Sequence, residues 1–118
     1  MKYMLLIHQG TTPTPRTEGW NDLSEAEQGA VFAAYKAINE TPGVTPGEQM
    51  EGPEAATTVR VENGETLTTD GPFVAVKEAL GGYLFLEADD LDAAIELAAK
   101  VPAASMGGAV EVRPIVEW

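Results

Sequence analysis

The sequence has 118 residues, 44% of them apolar and with 12 Gly and 8 Pro, which describes one folded, turn-rich domain with a single core and excludes a disordered chain. Nineteen acidic residues against seven basic ones leave a net charge of −12, spread along the chain, so a nucleic-acid partner is set aside: binding a polyanion rests on Lys and Arg displacing counterions. There is no Cys and a single His, which excludes disulfides, thiol nucleophiles and a multi-histidine metal site within one chain and leaves only carboxylates to hold a metal.

Lys2 to His8 is an almost unbroken apolar run, the pattern of a central strand covered on both faces. The run is too short for a membrane span, as is every other apolar stretch of the chain, and it lacks the cleavage site of a signal peptide. The expected setting is therefore cytoplasmic, with no membrane partner. Gln9 to Asp22 holds two Pro and four Thr without a period and reads as a loop, long enough to form a flap over a site. Ser24 and Glu27 have the spacing of a capping box, and Val31, Tyr35 and Ile38 follow at helical intervals, so a first helix is predicted from about Ser24 to Glu40, ended by Pro42-Gly43. A weaker extended segment follows at Gly47 to Glu51.

Residues 57–62 and 65–69 flank Asn63-Gly64, the dipeptide that supplies positive φ at both centres of a type I′ turn, and predict a β-hairpin. Gly82 to Ala88 reads as another covered strand. Asp89 or Asp90 caps a second helix whose Leu91, Ala94, Ile95, Ala98 and Val101 are expected to line one face before Pro102 stops it. Val110 to Trp118 alternates and predicts a final strand, with Val110, Val112, Val116 and Trp118 on one side and Glu111, Arg113, Ile115 and Glu117 on the other.

The order β, α, β, hairpin, β, α, β is that of an α+β domain on the ferredoxin-like, split βαβ plan, with an added β-hairpin. Two helices cover one face of such a sheet. The first strand and the Gly82 to Ala88 strand are apolar on both faces, so the second face needs a cover, most economically the same sheet of a second copy; a homodimer is expected.

The opening MKYMLLI, the hairpin TTVRVENGETLTTDGPF, the segment KEALGGYLFLEADDLDAAIELAAKVP and the ending VEVRPIVEW together resemble the DGPF-domain proteins of the YCII-related group, over nearly the whole chain. The resemblance implies a protomer that dimerises by packing sheets into an α+β barrel. Some YCII-like relatives resemble small-molecule enzymes with a His and an Asp in a cleft, among them a dehydrochlorinase of aromatic degradation; others are encoded beside extracytoplasmic-function sigma factors, which implies a regulatory role. The sequence departs from the pattern in one place: the family's helix His has no counterpart between Ser24 and Glu40, and His8 is not that residue by position.

Asp70, before Gly71-Pro72, has two readings: a turn former whose carboxylate accepts backbone N–H bonds, or a general acid or base at a strand end beside a cleft. His8 is the only side chain of a type whose unperturbed pKa lies near neutrality, and is either a hydrogen-bonded filler or the proton carrier, with Asp70 orienting it or taking the second proton. Arg60 and Arg113 are candidates for a forked contact to a small anion, although the favoured reading of Arg113 is a pairing with Glu51, Glu111 or Glu78. Lys77 belongs with them as a substrate-binding candidate or to surface electrostatics, and Phe73, Tyr83, Phe85 and Trp118 either pack in the core or line an apolar pocket. Gly81-Gly82 is no phosphate loop, since GxGxxG is absent and a strand follows, and no cofactor is expected. The expected activity is cofactor-free acid/base chemistry, of isomerase, lyase or hydrolase type, on a small organic acid or aromatic compound. The alternative is a non-enzymatic ligand-binding or regulatory module.

Overall fold

The computed structural model describes residues 1–71 and 80–118. Its main sheet has four antiparallel strands in the order β2-β5-β1-β6: β1 (Lys2–His8), β2 (Val44–Gln49), β5 (Leu80–Glu87) and β6 (Ala109–Pro114). The hairpin strands β3 (Thr57–Glu62) and β4 (Glu65–Asp70) form a second, two-stranded sheet. α1 (Glu25–Asn39) joins β1 to β2, and α2 (Leu91–Ala98) with the single-turn α3 (Pro102–Ser105) joins β5 to β6. This is an α+β architecture compatible with the ferredoxin-like plan, the hairpin being inserted between β2 and β5.

Local signals explain most of the element boundaries. The Ser24 hydroxyl accepts from the Glu27 N–H at 3.1 Å and the Glu27 carboxylate accepts from the Ser24 N–H at 2.9 Å, a complete capping box. Asp90 caps α2 by accepting from the Ala93 N–H at 2.9 Å. Asn63 and Gly64 take φ of 52° and 78°, the two positive values that a type I′ turn needs. β2 starts at Val44, three residues ahead of the extended segment expected from sequence, and includes Pro46. As an edge strand bonded only to β5 it tolerates the missing N–H.

The core lies between the sheet and the helices. Tyr3, Leu5 and Ile7 of β1 and Leu84 and Leu86 of β5 point to the helix face, where Ile38, Ala94, Leu97, Ala98, Val101 and Ala103 close over them. Burying a Leu or Ile side chain stabilises by roughly 1.5–3 kcal/mol, so the β1–β5 pair is the spine of the domain. The buried stripe of α2 differs from the expected one: Leu91 and Ile95 are each half exposed, and Leu97 packs inward in their place. The small Ala94 and Ala98 let the helix approach the sheet closely, and the stripe they share with Leu97 leaves Leu91 and Ile95 on its flank. Past Pro114 the chain leaves the ladder, and Trp118 is fully exposed, as is Val116 for the most part.

The opposite face of the sheet has no helix. Cross-strand register places Met4 beside Phe85 and Arg113, and Leu6 beside Tyr83 and Glu111, with His8 next along β1. Phe85 stays 38% exposed there, and Met4, Leu6 and Tyr83 are half-buried. Within one protomer β1 is therefore covered on one face only. The hairpin is likewise open, with Val59 and Val61 exposed on one side and Leu67 on the other.

Candidate functional site

α1 contributes only one fully buried side chain, Ile38, and beside it, under Val31, Phe32, Tyr35 and Asn39, lies a cavity of about 230 Å³. Phe32 and Tyr35 of α1 form its roof, Ile7 and Leu84 its floor, and Thr12 to Pro15 of the loop after β1 one wall. An apolar cavity of ~150 Å³ holds a benzene ring, so the space here suits a ring with a short substituent.

The loop is held at both ends. The Thr11 N–H donates to the Gly107 carbonyl at 3.1 Å and the Thr12 N–H to the Gln9 carbonyl at 2.8 Å. Gly10 makes this approach possible: its φ is +56°, and a Cβ there would lie 2.3 Å from the Gly107 carbonyl oxygen. At the far end a short 3-10 turn, Glu18–Asp22, buries Trp20 edge-on against Phe32 with ring centres 5.3 Å apart, and the Gln28 amide donates to the Trp20 carbonyl at 2.8 Å.

Apart from Glu48, the polar side chains around the cavity carry no charge, and two of them are incompletely satisfied. Burial pushes the Tyr35 phenol up from its ordinary value, opposed by a hydrogen bond with the Gln9 side chain, so Tyr35 keeps its proton at neutral pH. Gln9 Oε1 and Thr12 Oγ1 are buried without a hydrogen-bond partner, and Thr12 is only 5% exposed. Gly81 leaves the room that Gln9 occupies, since a Cβ at Gly81 would lie 2.3 Å from Gln9 Cγ.

A second cavity of about 380 Å³ shares Gln9, Thr12, Thr14, Gln49 and Gly81 with the first and has a charged rim. Arg16 on the loop ion-pairs with Glu51 just past β2, and Glu54 completes the rim.

The residues singled out in the sequence fall elsewhere. His8 is half-buried on the helix-free face of the sheet, its Nε2 3.5 Å from Glu111 Oε1. Arg113 grips the same carboxylate, Nε donating to Glu111 Oε2 at 2.8 Å and Nη2 also bonded to that oxygen. These contacts, led by the Arg113 hydrogen bond, hold the Glu111 carboxyl below its ordinary value of 4.5. Of the partners open to Arg113 in sequence, Glu111 is the one it takes. Arg60 lies on β3 and bonds Glu62 at 2.6 Å. Asp70 ends β4 opposite Thr57 and is exposed. His8 and Arg113 thus meet through Glu111, whereas Asp70 and Arg60 lie on the hairpin, and none of the four lines either cavity. Phe73 and Lys77 lie outside the described residues. Tyr83 is among the residues lining the first cavity, but its ring lies with that of Phe85 on the open side of the sheet, the ring centres 5.9 Å apart. Among the described residues no group of His, Asp and Glu could hold a metal ion, and no helix is long and apolar enough to cross a membrane.

Sequence reasoning missed Gln9, Thr12, Tyr35, Arg16 and Glu51. The first three carry no charge and no motif, and their one signal was the Thr/Pro-rich loop expected to form a flap.

The YCII-related domain matches the whole chain, residues 1–118. The chain belongs to the YCII-related family. An uncharacterized protein of Rhizobium meliloti (strain 1021) is 31% identical over 101 residues, covering 84% of this chain and 82% of that protein. Family membership thus extends over the loop, α1 and β5, which build the cavity, as well as over the hairpin.

Proposed function

We propose that this YCII-related protein is a small-molecule-binding homodimer whose ligand is ring-sized, largely apolar and equipped with a hydrogen-bonding group. The observation that carries the reading is the pair of unpartnered buried atoms, Gln9 Oε1 and Thr12 Oγ1, on residues lining a mainly apolar cavity of about 230 Å³. Leaving a buried polar atom unsatisfied costs ~1–3 kcal/mol, and a bound molecule with matching groups would recover that energy. The dimer rests on the helix-free sheet face, where Met4, Leu6, Tyr83 and Phe85 form an apolar strip between charged pairs; the matching strip of a second copy would cover it.

A second reading, cofactor-free proton transfer, is supported by the His8–Glu111 contact. A carboxylate 3.5 Å from the imidazole orients the chain's single histidine, the residue type best suited to proton transfer, and the dimer would enclose it. Asp70 enters this reading as a second proton carrier supplied by the hairpin.

Titrating the protein with phenethyl alcohol while recording amide and methyl NMR spectra tests the first reading. Shifts are expected at Gln9, Thr12, Phe32 and Tyr35, and Val31→Phe, which fills the cavity, should abolish them while the fold persists. Shifts scattered over other surfaces, or their survival in Val31→Phe, would sink it. If His8→Ala and Asp70→Asn abolish turnover of a substrate that they still bind, proton transfer becomes the primary function; unchanged turnover in both removes it.

A further inference from the structure

We infer that the ligand is an amphipathic amine, its apolar body in the cavity beneath α1 and its ammonium group at the charged rim, between Glu51 and Glu54. This rests on the reading of the cavity as a ligand site and assigns the chemical class of the ligand.

The arginines argue against an anion. All three already hold a carboxylate: Arg16 pairs with Glu51, Arg60 with Glu62 and Arg113 with Glu111. An acidic ligand would have to displace one of these partners in a chain whose net charge is −12. The rim itself carries two carboxylates against one guanidinium, and among the described residues Glu54 has no cationic partner.

The buried groups point the same way. With the Gln9 amide engaged at Tyr35, its Oε1 remains as a pure acceptor, which calls for an N–H or O–H donor and would repel a carboxylate. Thr12, nearly fully buried and with its hydroxyl unpartnered, lines both cavities, so it can bond a ligand group that passes from one to the other. An ammonium group has three donors, enough for Gln9 Oε1, Thr12 Oγ1 and one rim carboxylate.

Glu54 is placed for that role by its own backbone. It lies in the short 3-10 turn Pro53–Ala55, and its carboxylate folds back over Gly52, where a Cβ would lie 2.3 Å from Oε1. Gly52 has an ordinary φ of −60°, so an alanine there keeps the backbone and pushes the flexible carboxylate aside.

Calorimetric titration with phenethylamine, phenethyl alcohol and phenylacetate, which share ring and length, tests the inference. The amine is expected to bind about two- to fivefold more tightly than the alcohol, the range that exposed ion pairs support, and phenylacetate more weakly than either. Glu54→Gln and Gly52→Ala should each remove most of the amine's advantage while leaving the alcohol's affinity unchanged, the first by deleting the charge and the second by moving it. Equal affinities for amine and alcohol, a preference for phenylacetate, or an amine advantage that survives both variants would overturn the inference and leave the cavity reading standing. Failure of all three compounds to bind would overturn both.

Discussion

Replacing Thr12 by Val should stabilise the ligand-free protein, against the usual direction of substitutions at buried positions. Thr12 is 5% exposed, and its backbone N–H is satisfied by the Gln9 carbonyl at 2.8 Å, but its hydroxyl has no partner. Val has the same shape and exchanges that hydroxyl for a methyl group. The energy recovered is the desolvation penalty of an unsatisfied hydroxyl, ~1–3 kcal/mol. A chain of this length has an unfolding entropy of roughly 0.25 kcal/mol/K near its midpoint, so Tm should rise by about 4–12 °C. Scanning calorimetry reads the shift, and urea unfolding with an unchanged slope would place it in the folded state. Thr12→Ser, which keeps the hydroxyl and loses the methyl, should instead lower stability by ~1 kcal/mol. Affinity for phenethyl alcohol should fall in Thr12→Val, because a bonding group has been removed. If Thr12→Val is neutral or destabilising, the hydroxyl has a partner in solution and does not wait for a ligand.

Ser24→Ala removes one half of the capping box and should cost ~1 kcal/mol, read from urea unfolding; an unchanged midpoint would mean that α1 is held by its packing alone. The Glu111 carboxyl is held below 4.5 chiefly by Arg113, so its stabilising contribution is complete above that value and is lost as pH falls through the lower folded-state value. In Arg113→Ala its titration, followed by carbon-detected NMR, should move up toward 4.5 and the acid limb of the stability profile should flatten; an unmoved titration would assign the shift to another group. Leu6→Glu places a carboxylate in the middle of the helix-free face, where burial would cost several kcal/mol. The proposed dimer predicts that the parent protein sediments as a dimer and the variant as a monomer with its circular dichroism spectrum retained; a monomeric parent removes the dimer, and a dimer that persists in the variant locates the interface elsewhere.

Where a few adjacent residues carry the whole signal, sequence and structure agree: the capping box at Ser24 and Glu27, the Asn63-Gly64 turn, the Asp90 cap and the apolar run of β1. These are hydrogen bonds or φ preferences satisfied within a few residues, which tertiary contacts had no reason to override. β2 was placed late because Pro46 is a poor strand residue in general and acceptable only on an edge, and being on an edge is a property of the sheet. The buried stripe of α2 was misassigned in part because Leu91, Ile95 and Leu97 all fit an apolar helix face by spacing. Which of them turns inward depends on how closely Ala94 and Ala98 approach the strands.

The candidate site divides in the same way. Charge, motif and titration drew attention to His8, Asp70, Arg60 and Arg113, and the structure joins His8 and Arg113 on one carboxylate of the open sheet face. The cavity is built instead from Gln9 and Thr12, from Phe32 and Tyr35, and from Gly81 to Leu84, three segments distant in sequence. By itself the sequence determined the element order, the helix starts, the hairpin turn and the chain's acidity, all set by short-range bonding or by composition. Only the tertiary structure decided that a cavity lies between α1 and the sheet and that two neutral polar atoms are left there unpartnered, because a cavity and an unmet hydrogen bond are relations among distant residues.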